Sequence, residues 1–255
     1  MAPLFILGFP RSGTTAMAAG LAALGRWGRV GVEGHFIYHF APGLAAIADG
    51  RINPASLAAD PVRRDRALGE FARFLNRTFS PRSDPDDIRW IDKTPDVAQV
   101  RAVAVIGRIY PTARFVFLYR PPADAIRSNL AVFRRAVEGN EARHAARWAT
   151  LHALWRERRA GLSPTAYVEV FQPDMRADPA AVARHLAPVL ALDPAETERL
   201  AEFWRANPSI ARPVGERAAR YDGVRLAPDV AAQVAALTDE ECRHWPRLAP
   251  AVAAE

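Results

Sequence analysis

Leu4-Phe5-Ile6-Leu7-Gly8-Phe9-Pro10-Arg11-Ser12-Gly13-Thr14-Thr15 is the stretch that decides how this chain folds. Four apolar residues in a row, closed by a glycine-bounded turn, suit a strand buried on both faces. Residues 14–24 are rich in alanine and leucine and stop at Gly25, the pattern of a helix with a glycine just past its end. Between strand and helix, residues 8–15 carry the frame G-x-x-x-x-G-x-[ST] of a phosphate-binding loop. Backbone N–H groups in such a turn, with the positive end of the helix behind them, form a site for an anion. The glycines let the backbone approach that anion closely. One position departs from the nucleotide-hydrolase pattern: Thr14 stands where a lysine normally reaches the β- and γ-phosphates. The change argues against ATP or GTP chemistry and leaves Arg11 as the cation inside the loop.

Beyond this unit, strands are expected at residues 30–32, 88–91, 115–119 and 166–170, and helices at 35–49, 64–79, 97–109, 123–137 and 141–160. From Pro179 onward the chain reads as helical, with breaks at Pro188, Pro194, Pro208 and Pro213. Strands alternating with helices predict an α/β fold. The expected form is a single three-layer domain of the P-loop type, its central parallel sheet flanked by helices. A length of 255 residues fits one such domain, with the anion-binding core over about 4–170 and a helical C-terminal part over about 171–255.

Composition narrows the function. Half of the residues are hydrophobic and 24% are charged, as in globular proteins, and no apolar run approaches the roughly 20 residues of a membrane span. The apolar opening is too short, and too poor in basic flank, for a signal peptide. Cys242 is the only cysteine, which suits a reducing, cytoplasmic setting. A net charge of +6 favours anionic partners, but the basic residues are spread out and not interleaved with aromatics, so nucleic acid is not expected. Almost all the cations are arginine; Lys93 is the only lysine. Scattered histidines and one cysteine predict no metal site.

A second constellation follows the most strand-like run. Residues 115–119 lead into Arg120, Pro121, Pro122, Asp124 and Ser128. Arg120 falls at a strand's carboxyl end, where open α/β sheets bind ligands, and Ser128 falls in the early turns of the next helix. Together they suit a second phosphate; Asp124 is a first-turn carboxylate favouring the helix dipole.

Pro10-Arg11-Ser12-Gly13-Thr14-Thr15 after an apolar strand resembles the 5′-phosphosulfate loop of the PAPS-dependent sulfotransferases, particularly their tyrosylprotein and carbohydrate branches. Arg120 and Ser128 match the 3′-phosphate motif of the same family. The resemblance implies PAPS as donor and PAP as product, held by Arg11, Ser12, Gly13, Thr14, Thr15, Arg120 and Ser128, with no metal. Two phosphate elements in this order suit a ligand phosphorylated at both 3′ and 5′ positions.

Val32-Glu33-Gly34-His35-Phe36 is similar to the family segment that supplies the catalytic base. Glu33 is the expected base and His35 the alternative. Ile91-Asp92-Lys93-Thr94-Pro95-Asp96 looks like the Lys-[Ser/Thr]-Pro segment of carbohydrate sulfotransferases, whose lysine faces the sulfuryl group or the acceptor. The implied reaction is in-line transfer to a hydroxyl or amine, with Lys93 and Arg11 stabilising the leaving group. Tyr167 and Glu169 resemble a late Tyr/Glu pair, with Tyr167 expected at the nucleotide and Glu169 structural. Trp148 and Trp155 read as core. The acceptor is a small molecule, a carbohydrate or a peptide. Two alternatives stand beside this reading: a P-loop phosphotransferase using ATP, and a nucleotide-binding module without catalysis.

Overall fold

A computed structural model describes residues 3–29, 36–48, 60–79, 89–207 and 224–245. Five strands form one sheet: β1 (Leu4–Gly8), β2 (Gly28–Arg29), β3 (Trp90–Lys93), β4 (Arg114–Tyr119) and β5 (Tyr167–Phe171). Their order is β2-β3-β1-β4-β5, and every neighbouring pair is parallel. The chain therefore crosses over β1 between β3 and β4, which makes the carboxyl ends of β3, β1 and β4 the switch point where such sheets bind ligands.

Alternation along β1 and β4 divides the core in two. Phe5, Leu7, Phe115 and Phe117 face one layer, and Leu4, Ile6, Val116 and Leu118 the other. The first layer is covered by α4 (Val97–Arg101), α5 (Val103–Ile109) and α7 (Glu141–Arg159), which contribute Val100, Ile106, Trp148 and Trp155. The second is covered by α1 (Thr14–Ala23), α9 (Pro179–Leu190) and α10 (Pro194–Ala206), through Met17, Leu21, Leu186, Leu200 and Trp204. The remaining helices are α2 (Phe36–Ala48), α3 (Pro61–Phe79), α6 (Pro122–Val137), α8 (Asp174–Ala177) and α11 (Pro228–His244). The three-layer parallel architecture is the one the sequence predicts. Among the described residues no helix is long and apolar enough to cross a membrane.

Several boundaries differ from expectation. The second strand pairs at Gly28 and Arg29, opposite Trp90 and Ile91, while residues 30–32 lie outside the described residues. The third strand runs through Asp92 and Lys93, residues too polar to signal a strand. Its buried carboxylate is satisfied by Thr94 Oγ1 at 2.7 Å and Gln99 Nε2 at 3.0 Å, which offsets the cost of burying it. The expected helix at 97–109 divides at Ala102 into α4 and α5. Pro188 lies inside α9, which ends at Ala191 in the left-handed region (φ 50°). Pro194 starts α10 in place of breaking it, at the position where a missing N–H is tolerated. Pro208 and Pro213 lie outside the described residues.

Two polar residues fix α7 to the sheet. Glu169 accepts from Tyr119 Oη at 2.5 Å, Trp155 Nε1 at 2.7 Å and Arg159 Nη1 at 2.7 Å, a structural role. Burial and the adjacent Glu169 charge push the Tyr119 hydroxyl far above its ordinary range. His152 is fully buried and stacks on Trp148 with ring centroids 3.7 Å apart. Its Nδ1 must carry the proton, because it lies 2.8 Å from the Trp148 carbonyl, which can only accept.

Burial lowers the His152 pKa to about 3. The unfolded chain, near 6.5, then binds the extra proton first, so stability falls as pH drops from 6.5 toward 3. Urea unfolding at pH 7 and pH 5 is expected to show wild type losing about 2 kcal/mol more than His152→Phe, which keeps a stacking ring. Equal losses would mean that the imidazole does not titrate in this window.

Candidate functional site

The loop between β1 and α1 is shaped by three residues with positive φ: Gly8 at 144°, Arg11 at 73° and Gly13 at 91°. A Cβ on Gly13 would stand 2.8 Å from Gln172 Cγ, so the turn closes only around glycine. Gly13 is the N-cap of α1 and no side chain caps the helix. The first-turn N–H groups have no carbonyl one turn behind them, which leaves them available to an anion. Thr14 is buried and Thr15 exposed.

Ser12 faces inward. It is wholly buried, and both its hydroxyl and its N–H are taken up by the Phe9 carbonyl, at 2.7 and 3.0 Å. It braces the turn from inside and in this arrangement has no donor left for a phosphate.

The two phosphate-type motifs meet. Arg120, the first residue after β4, is only 6% exposed, and its Nη1 donates to the Arg11 carbonyl at 2.7 Å. Arg11 Nε donates to Ser128 Oγ at 3.3 Å. Beside Ser128, Asn129 Nδ2 donates to the Pro10 carbonyl at 3.2 Å and to Ala125 at 3.0 Å. The loop's carbonyls are thus turned toward α6 and the end of β4. Asp124 lies in the first turn of α6 and is paired with Arg127.

Lys93 ends β3 in register with Ile6 and is buried. It shares a face with Ile91, the side that α1 covers. Since β3 and β4 flank β1, Lys93 and Arg120 stand on opposite sides of the cradle, two strand spacings (about 10 Å) apart across the sheet, with Arg120 four residues further along the strand direction.

Tyr167 is not brought to the site. It opens β5 opposite Phe115, about 13 Å along the strand from the carboxyl edge, and meets Trp155 edge-on. At the correct end of β5 stands Gln172, buried against Gly13. Glu33 and His35 lie outside the described residues.

Three residues of the site carry no motif in the sequence: Asn129, Gln172 and Trp148. Trp148 alone had a signal. A buried indole N–H needs an acceptor, and here it is the Arg120 carbonyl at 3.1 Å.

A glycine-bounded cradle without the Walker lysine is thus joined, at one edge of a parallel α/β sheet, to an arginine and a hydroxyl from the next strand–helix unit. The model of the Sulfotransferase family matches residues 3–196, and the chain belongs to that family. The match runs past β5 and through α9 to the start of α10.

The fold is similar to three solved structures. The sulfotransferase domain of the Synechococcus PCC 7002 olefin synthase has a TM-score of 0.58 at 17% identity, covering 94% of each chain. The sulfotransferase domain from the curacin biosynthetic pathway gives 0.53 at 15% identity, covering 93% of this chain and 96% of that one. Sulfotransferase STF9 from Mycobacterium avium gives 0.54 at 15% identity, covering 95% and 76%. At these identities the likeness concerns the fold. No curated protein matches the chain.

Proposed function

We propose that this chain transfers a sulfuryl group from PAPS to a hydroxyl or amine of a small-molecule, carbohydrate or peptide acceptor. The observation that carries the reading is the junction of the two motifs: Arg120 on the Arg11 carbonyl and Arg11 on Ser128. It brings two anion-binding elements to one edge, as a donor phosphorylated at both its 3′ and 5′ positions requires.

In this mechanism the α1 N–H groups and Arg11 hold the 5′-phosphosulfate, and Arg120 with Ser128 holds the 3′-phosphate. Glu33 takes the proton as the acceptor atom bonds to sulfur, with His35 the alternative base. The sulfur–oxygen bond to the 5′-phosphate breaks, and Lys93 and Arg11 stabilise the charge left on that phosphate as PAP departs. No metal is needed, because the donor is already an activated anhydride. The single cysteine accords with a reducing, cytoplasmic setting.

Calorimetry with adenosine 3′,5′-bisphosphate, and with ATP plus magnesium in parallel, tests the reading. The bisphosphate is expected to bind and ATP not to displace it. Lys93→Met should keep that affinity within about threefold while slowing release of PAP from PAPS about 100-fold, the size of one lost oxyanion donor. Binding of magnesium-ATP without binding of the bisphosphate would move the chain to the phosphotransferases.

A further inference from the structure

We propose that Trp148, far along the chain from both motifs, is a positioning residue for the donor site, holding the Arg120 main chain so that its guanidinium can fix the turn at Arg11. The inference rests on the donor reading given above. The last ladder bond of β4 and β5 runs from Gln172 N–H to the Tyr119 carbonyl, at 2.8 Å. The next carbonyl, that of Arg120, lies past the sheet, and Trp148 Nε1 donates to it at 3.1 Å.

Arg120 also precedes Pro121, which confines its backbone to extended conformations. The indole cannot drift. It is fully buried on α7, and His152 stacks on it at 3.7 Å while bonding to its carbonyl.

From there the contacts run outward without a gap: Trp148 to the Arg120 carbonyl, Arg120 Nη1 to the Arg11 carbonyl, and Arg11 Nε to Ser128. Arg11 has a φ of 73°, costly for a residue with a Cβ, so its turn persists only while its surroundings hold it. Removing the indole donor takes from the Arg120 carbonyl the bond that Trp148 makes to it at 3.1 Å. The Arg120–Pro121 peptide then turns toward another donor and carries the guanidinium off the Arg11 carbonyl.

The test is a double-mutant cycle on the full chain, read as the calorimetric Kd for adenosine 3′,5′-bisphosphate. Trp148→Phe is expected to weaken binding about tenfold in the wild-type background and less than twofold in an Arg120→Ala background. A residue that merely filled space would weaken both alike, and that result overturns the proposal. Because the phenyl ring leaves a void, a second variant carries the benzothiophene isostere of tryptophan at 148, with sulfur in place of the N–H. It should reproduce the tenfold loss with no void left in the core, and unchanged affinity in it would overturn the proposal even if Trp148→Phe fails to fold. Failure of wild type to bind the bisphosphate is a separate outcome: it removes the donor reading, and this inference with it.

Discussion

Arg120→Ala is expected to weaken binding of adenosine 3′,5′-bisphosphate by two to three orders of magnitude while the protein remains folded. The guanidinium is almost fully buried and reaches the Arg11 carbonyl at 2.7 Å, so its loss acts twice. It removes a desolvated cation from the proposed phosphate site, and it releases a backbone turn that is unfavourable by itself. Truncating one partner of a buried, hydrogen-bonded charge pair costs about 3–5 kcal/mol, and the lower part of that range, about 3–4 kcal/mol, corresponds to that loss of affinity. Arg120→Lys should fall between the two, since it restores charge without the planar fork that spans carbonyl and anion together. Calorimetry at fixed ionic strength is the measurement. A loss below about threefold for the alanine variant would place the anion elsewhere on the sheet edge.

The second large effect is on stability. Gly8→Ala is expected to lower the unfolding free energy by more than about 3 kcal/mol, a fall in Tm of at least about 6 °C at this size. The new Cβ would lie 2.6 Å from Ser12 Oγ and 2.8 Å from the Leu118 carbonyl, at a φ of 144°. Neither neighbour can withdraw. The carbonyl belongs to β4, in register with Gly8, and the hydroxyl is tied to Phe9. Gly139→Ala is the matched control, with a φ of 76° but nothing within 4 Å. It should cost only the conformational part, about 1–2 kcal/mol. Equal melting shifts for the two variants would show that the loop yields to the added methyl group.

Much of this was legible before any coordinates. The strand–loop–helix frame at Gly8 to Thr15 and the strand running into Arg120 are local patterns, and local patterns survive into the fold. The same logic places Tyr167, because in a parallel sheet the first residue of every strand stands away from the edge that carries the loops. Its resemblance to a late family tyrosine pointed to the nucleotide, whereas the strand sets it at the end away from the cradle. Ser12 was beyond reach: the sequence shows a hydroxyl in an anion loop, but not that Phe9 already occupies it. Asn129 and Gln172 matter only through partners more than a hundred residues away. Asp92 and Lys93 hid their strand because polarity masks it until Thr94 and Gln99 are in place.

The contacts that hold the loop join residues 109 and 117 positions apart. A peptide carrying the complete glycine-bounded motif would possess every residue of the cradle and none of its shape. The cradle is therefore a late product of folding, formed only once β4 has paired and α6 has docked, since such long closures must be made before their contacts can contribute. It follows that a ligand seated there recognises the native state alone. Its binding free energy adds to that of the whole sheet, so the proposed donor, or its product, would act as a clasp on the fold.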